Sequence, residues 1–255
     1  TVLAPTNDAF DAFLSSVNAA SLEDIPVDVL TNVLLNHVII GEVQSSSLTN
    51  GYASTQAVSG ASGTNMSIYI NTDNGVTFNG VSSVTSADVV ASNGIVHIVD
   101  AVIGLPSVVT FALADPNFSS LVQALTAYDY PQSFVGLLSI PAGSTPSPFT
   151  VFAPVNPAFE SLLEELALSS LYDIDEQTLG AVLSYHVVVG INQFSMSLSD
   201  GMVFTTALDQ SIPGGGNLTY NDGDTGPGVL TDNNERTSNM ILLDVEGTPD
   251  YNLQS

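Results

Sequence analysis

The sequence predicts an α+β protein built as two tandem copies of one module. Thr1–Phe10 returns as Thr150–Phe159, with Thr, Val, Ala, Pro, Asn, Ala and Phe identical in place, and the same offset of 149 residues separates His37 from His186. A repeat that long spans a folded module rather than one unit of a solenoid. Within each copy, apolar residues first recur at helical spacing and then alternate or run together between Asn/Gly turns, so helices precede strands. At 255 residues and 44% hydrophobic, the chain is long enough for two cores, one per module, over residues 1–106 and 107–255.

Each copy opens with a short apolar strand, around Val2-Leu3-Ala4 and Phe149–Ala153, ended by Pro5 and Pro154. A helix follows. In the second copy Asn156 is a natural N-cap with Pro157 in the first helical position. Phe159, Leu162, Leu163 and Leu166 then form the inner stripe and Glu160, Glu164 and Glu165 face out. The first copy repeats this with Asn7, Phe10, Phe13, Leu14 and Val17. A second helix puts Leu30, Val33, Leu34 and His37 on one stripe, matched by Leu179, Val182, Leu183 and His186. The β-branched runs Val38-Ile39-Ile40 and Val187-Val188-Val189 come next, and the segments 64–70, 75–78 and 93–102 read as strands. The link lies near Gly104–Ser107, after which Asp115-Pro116 introduces a helix with the stripe Phe118, Leu121, Val122 and Leu125.

Charge excludes some functions. One cation, Arg236, stands against 26 acids, giving −25, yet charged residues are only 11%. The surface is therefore hydroxyl- and amide-rich with scattered carboxylates. It repels nucleic acid and anionic membranes and attracts divalent cations. No apolar run approaches the roughly 18 residues of a membrane span. Cysteine is absent, which excludes disulfides, thiolate metal sites and cysteine nucleophiles. The sequons at Asn65, Asn117 and Asn217 are glycosylation acceptors if the source is eukaryotic and otherwise chance triplets in an Asn/Ser/Thr-rich chain.

The motif T-V-F-A-P-x-N-x-A-F at Thr1–Phe10 and Thr150–Phe159, the strand after Asn93-Gly94 (Ile95–Asp100), and Tyr185-His186 between two such elements together resemble the fasciclin (FAS1) family over essentially the whole chain. The resemblance implies a wedge-shaped β-sandwich with packed helices in each module. It implies an extracellular or cell-surface protein of adhesion or matrix binding, acting through protein or polysaccharide contacts and without catalysis. It also implies a contact at Tyr185 and His186, with His37 the matching position of the first copy, where Asn36 replaces the tyrosine. Both copies depart from the pattern. The opening helices are absent before Thr1, so the chain reads as a fragment or processed product. In the second copy Asp244–Asp250 aligns with Asp88–Gly94, and the last strand becomes Tyr251–Ser255. Either neighbouring chains complete these ends by self-association, as in a structural subunit of an extracellular polymer, or the ends are simply the limits of the segment; the second reading has more weight.

The residues themselves give blander alternatives. His37 and His186 on apolar stripes read first as buried neutral histidines. Asp222, Asp224, Asp232 and Glu235 lie among glycines at a spacing that could gather oxygens around Ca²⁺, with Asx turns the stronger reading. Tyr128 and Tyr130 are the one pair suggestive of a glycan platform. A secreted acidic hydrolase would need two carboxylates in an apolar cleft, and no motif supports one.

Overall fold

A computed structural model describes residues 1–208, 216–222, 228–232, 235 and 237–239. The chain divides into two compact units. The first holds residues 1–106 and 113–115, and the second holds 107–112 with the described residues from 116 onward.

In the first unit, β1 (Val2–Pro5) leads into α1 (Asn7–Ser16) and α2 (Val27–Leu35). Then come β2 (Gly51–Val58), β3 (Asn65–Asn71), β4 (Thr77–Phe78), β5 (Ser82–Ala91) and β6 (Gly94–Val99). These form one sheet in the order β1-β6-β5-β4-β3-β2. β1 runs parallel to β6, with Leu3 opposite His97. The other neighbours are antiparallel. The alternation expected of β6 is present: Ile95, His97 and Val99 point inward and are buried. Leu3, Ile39, Ile68, Ile70, Phe78, Val99 and Ile103 make the core. The run at residues 38–40 forms only isolated bridges, Val2 to Val38 and Ile39 to Thr55, whereas its counterpart in the second unit is a strand.

The second unit begins with residues 108–112 of α3 (Val108–Ala114), followed by α4 (Ser119–Thr126) and α5 (Phe134–Leu138). The shared pattern follows as β7 (Phe149–Val151), α6 (Asn156–Glu165), α7 (Glu176–Tyr185) and β8 (Val187–Val189). β9 (Met202–Thr205), β10 (Asn217–Asn221), β11 (Val229–Thr231) and β12 (Thr237–Asn239) form an antiparallel sheet. The bridge from Val188 to Thr206 ties β8 to the end of β9, as Ile39 to Thr55 does in the first unit. Leu121, Leu125, Phe134 and Leu138 from α4 and α5 share one cluster with Phe159, Leu179 and Leu183. Leu183 is accordingly 2% exposed, whereas its repeat partner Leu34 is 46% exposed.

Expectations at the ends of α1 and α6 are corrected. Asn156 does not cap α6. The N-cap is Val155, and the Asn156 amide is engaged elsewhere, accepting from the Ser120 N–H at 2.9 Å and donating to the Pro116 carbonyl at 3.0 Å. In the first unit the cap is Thr6, whose hydroxyl accepts from the Ala9 N–H. Leu166 is the C-cap of α6 and exposed, because the helix ends before its stripe can turn inward. The last strand expected of the second copy, Tyr251–Ser255, and the aligned Asp244–Asp250 lie outside the described residues.

Candidate functional site

Tyr185 and His186 close α7 and lead directly into β8. Asp175 starts this helix as its N-cap, its carboxylate accepting from the Thr178 N–H at 3.0 Å. Hydrogen bonds from the Thr178 side chain and from its N–H together hold the Asp175 carboxyl below the usual carboxylate range. A helix ends with carbonyls that have no partner within it. His186 supplies one through its side chain: its Nδ1–H donates to the Val182 carbonyl at 2.8 Å. Its own carbonyl accepts from the Phe152 N–H at 2.9 Å and so holds the strand of the opening motif.

His37 makes the same two connections. Its Nδ1–H donates to the Val33 carbonyl at 2.8 Å, and its carbonyl accepts from the Leu3 N–H at 2.8 Å. Its Nε2 also accepts from the Ile103 N–H at 2.9 Å. With a donor on one nitrogen and an acceptor on the other, His37 is a neutral imidazole, 3% exposed. Burial lowers the pKa of both histidines, because desolvation disfavours the charged form. The His97 ring is also bonded at both nitrogens, with Nε2–H donating to the Val43 carbonyl and Nδ1 accepting from the Asp88 N–H. Each of the three rings joins backbone segments that are distant in sequence or closes a helix.

Tyr185 lies partly buried, and its hydroxyl donates to the Asn217 carbonyl on β10 at 2.7 Å. The ring rests on Gly216. A Cβ built there would meet Tyr185 Cδ2 at 2.6 Å and Thr206 Oγ1 at 2.9 Å, so glycine at 216 permits the close approach of strand and ring. The matching residue, Asn36, reaches the same neighbourhood. Its Nδ2 donates to the Gly104 carbonyl at 2.9 Å and its Oδ1 accepts from the Thr55 hydroxyl at 3.0 Å. Thr55 and Thr206 each bond across to the next strand, at Met66 and Gly216. The two copies thus fill one structural position with different polar side chains, Asn36 wholly buried and Tyr185 at the edge of the core. Nothing at the level of sequence pattern marked Gly216 or Thr206 as partners of Tyr185.

The other sequence-predicted residues are dispersed. Asp222 donates its N–H to Asp200 at 2.9 Å and accepts from the Tyr220 hydroxyl at 3.3 Å. Asp232 accepts the Glu235 N–H in a turn. Asp224 lies outside the described residues. Among those described, no group of three or more His, Asp or Glu is placed to hold a metal ion. Tyr130 is buried and donates to Ala124, while Tyr128 donates to Tyr172 and Ile174. They stack edge-on inside the unit and offer no exposed aromatic row, which corrects the glycan-platform expectation. Asn117 is exposed beside α4. Asn65 is exposed but donates its amide to the Thr55 carbonyl, and Asn217 has its amide oxygen buried in β10. No helix among the described residues is long and apolar enough to cross a membrane.

The fasciclin domain model of protein families matches this chain twice, at residues 1–106 and 116–242. The chain belongs to the fasciclin family. Periostin of Homo sapiens is 27% identical over 215 residues, 83% of this chain but 24% of periostin. An uncharacterized protein of Synechocystis sp. is 37% identical over 86 residues, 34% of this chain and 56% of that protein. This fasciclin chain therefore spans about a quarter to a half of these relatives. The solved FAS1 domain pair from the insect cell adhesion molecule fasciclin I matches with a TM-score of 0.51 at 20% identity, covering 94% of this chain and 81% of that one. At that identity the likeness is one of fold.

Proposed function

We propose that this fasciclin protein is an extracellular or cell-surface adhesion or matrix-binding protein. It acts by contact with proteins or glycans and not by catalysis. The observation that carries the reading is the tandem fasciclin match over 1–106 and 116–242, supported by a fold shared with a domain pair from a cell adhesion molecule. The Tyr185–His186 corner is the contact proposed for the second unit, its edge position leaving part of the tyrosine ring accessible. His37 is too buried to touch a partner without opening its unit. Ca²⁺ at the acidic loops is proposed as a modulator.

The test is solid-phase binding of the purified chain to panels of extracellular proteins and glycans, with Ca²⁺ and with chelator. Saturable binding weakened by Tyr185→Ala supports the reading. A folded chain that binds nothing in either panel overturns it. A second reading, self-association into a structural polymer, is favoured by the exposed Val27, Leu34 and Ile40 of the first unit. Light scattering decides it, because a particle at one chain's mass of 26.5 kDa excludes assembly.

A further inference from the structure

The second unit contains a cleft of about 630 Å³, open on one side, between α7 and the segment that carries α5. That volume is in the range of small-molecule sites. Its floor is apolar: Phe134, Leu137, Val187 and Val189. Tyr130 closes one wall with its ring edge against Phe134.

The α7 wall of the cleft carries small side chains. Gly180 and Ser184 on α7 line the cleft, and at the same offset the first copy has the larger Thr31 and Leu35. The mouth differs in the same way. Asp175 and Glu176 stand at the rim, where the first copy has Pro26 and Val27. The second copy therefore has smaller side chains facing the cavity and two carboxylates at its mouth. Val187 and Val189 keep their apolar character in both copies as Val38 and Ile40. Among the described residues the rim holds no cationic side chain, and the whole chain carries −25. Such a field excludes anionic ligands and favours cations at the mouth.

We infer that this cleft binds an apolar small molecule bearing a cationic amine head. The apolar part lies on Val187, Val189 and Phe134, and the head sits at Asp175 and Glu176.

The test uses the whole chain and the neutral dye N-phenyl-1-naphthylamine. It is followed by displacement with dodecyltrimethylammonium or dodecyl sulfate, both below micelle formation. The expected result is saturable dye binding, displaced by the ammonium at a concentration at least tenfold lower than by the sulfate. Ser184→Leu, which copies the first module's residue, fills the cleft and weakens dye binding at least tenfold with the fold retained by circular dichroism. Gly180→Thr serves the same purpose should Ser184→Leu fail to fold. Glu176→Gln reduces the preference for ammonium at least threefold and leaves the dye affinity unchanged. Dye binding that does not saturate, that survives both filling variants, or that the sulfate displaces as well as the ammonium overturns the inference.

Discussion

Replacing Gly216 with alanine tests whether Tyr185 is a packed structural residue before it is a contact. The added methyl carbon would sit 2.6 Å from Tyr185 Cδ2 and 2.9 Å from Thr206 Oγ1, well inside the roughly 3.5–4.0 Å optimum between carbons. The ring must move, and overpacking of this kind costs about 1–3 kcal/mol. Moving it also weakens the hydroxyl bond to the Asn217 carbonyl, worth about 0.5–1.5 kcal/mol. Alanine returns about 0.4–1 kcal/mol by restricting the unfolded chain. The net loss is about 0.5–4 kcal/mol, a fall in the second unit's Tm of about 2–12 °C. Calorimetry should resolve the two units, since a chain of two cores need not melt in one step. The cost should fall by at least half in a Tyr185→Ala background, where the ring is gone, because contacting residues couple. An equal cost in both backgrounds would refute the packing argument, as would no cost at all.

Four further outcomes are expected. Burial holds the pKa of His37 and His186 below that of a free histidine, so the unfolded chain takes up protons first. Their contribution is complete above about pH 6.5 and is lost as pH falls toward the folded values, at up to about 1.4 kcal/mol per pH unit for each ring; urea titrations at pH 7.5 and 5.5 that give the same stability would contradict this. Asn36→Leu removes the amide donor to the Gly104 carbonyl and one of the two acceptors of the Thr55 hydroxyl, which keeps Met66, and should destabilise the first unit by about 1–3 kcal/mol. Tyr185→Phe, which removes a single bond to a backbone carbonyl, should cost less, about 0.5–1.5 kcal/mol in chemical denaturation. Tyr52→Phe removes a donor at 3.0 Å from the buried Asp115 carboxylate and should lower stability by about 1–3 kcal/mol. It should also lower the phenol pKa of neighbouring Tyr69 little, since burial is the first cause holding that group up at about 12; a Tyr69 titration near 10 in the ultraviolet would count against that cause.

Much of the fold could be read from local chemistry. The strands around Ile68, Phe78 and Val96 followed alternation between Asn/Gly turns, and the histidine stripes followed helical spacing, because both patterns record burial on one face. What stayed hidden depended on distant partners. Val38–Ile40 has the composition of a strand, but forms only isolated bridges where Val187–Val189 pairs fully with β7. Asn156 looked like a cap and is instead a bracket to Ser119 and Ser120. Residues 108–114 form a helix that the apolar run Val108–Ala114 did not announce, having no polar face to set a period. At the site, the doublet Tyr185-His186 was visible, but the close approach of Gly216 was not, because it joins residues that only the sheet brings together.

The parallel pairing of β1 with β6 has a kinetic consequence. It aligns residues 2–5 with residues 96–99, so the first unit's sheet is closed by its two most distant strands. A growing chain cannot make that pairing until the last of them has been synthesised, and contacts of such long sequence separation are slow to form. Until then β1 presents an unpaired edge, open to mispairing with a neighbouring chain. The first unit should therefore become protease-resistant late and all at once. Its aggregation risk during synthesis should be highest while residues 2–5 still await residues 96–99.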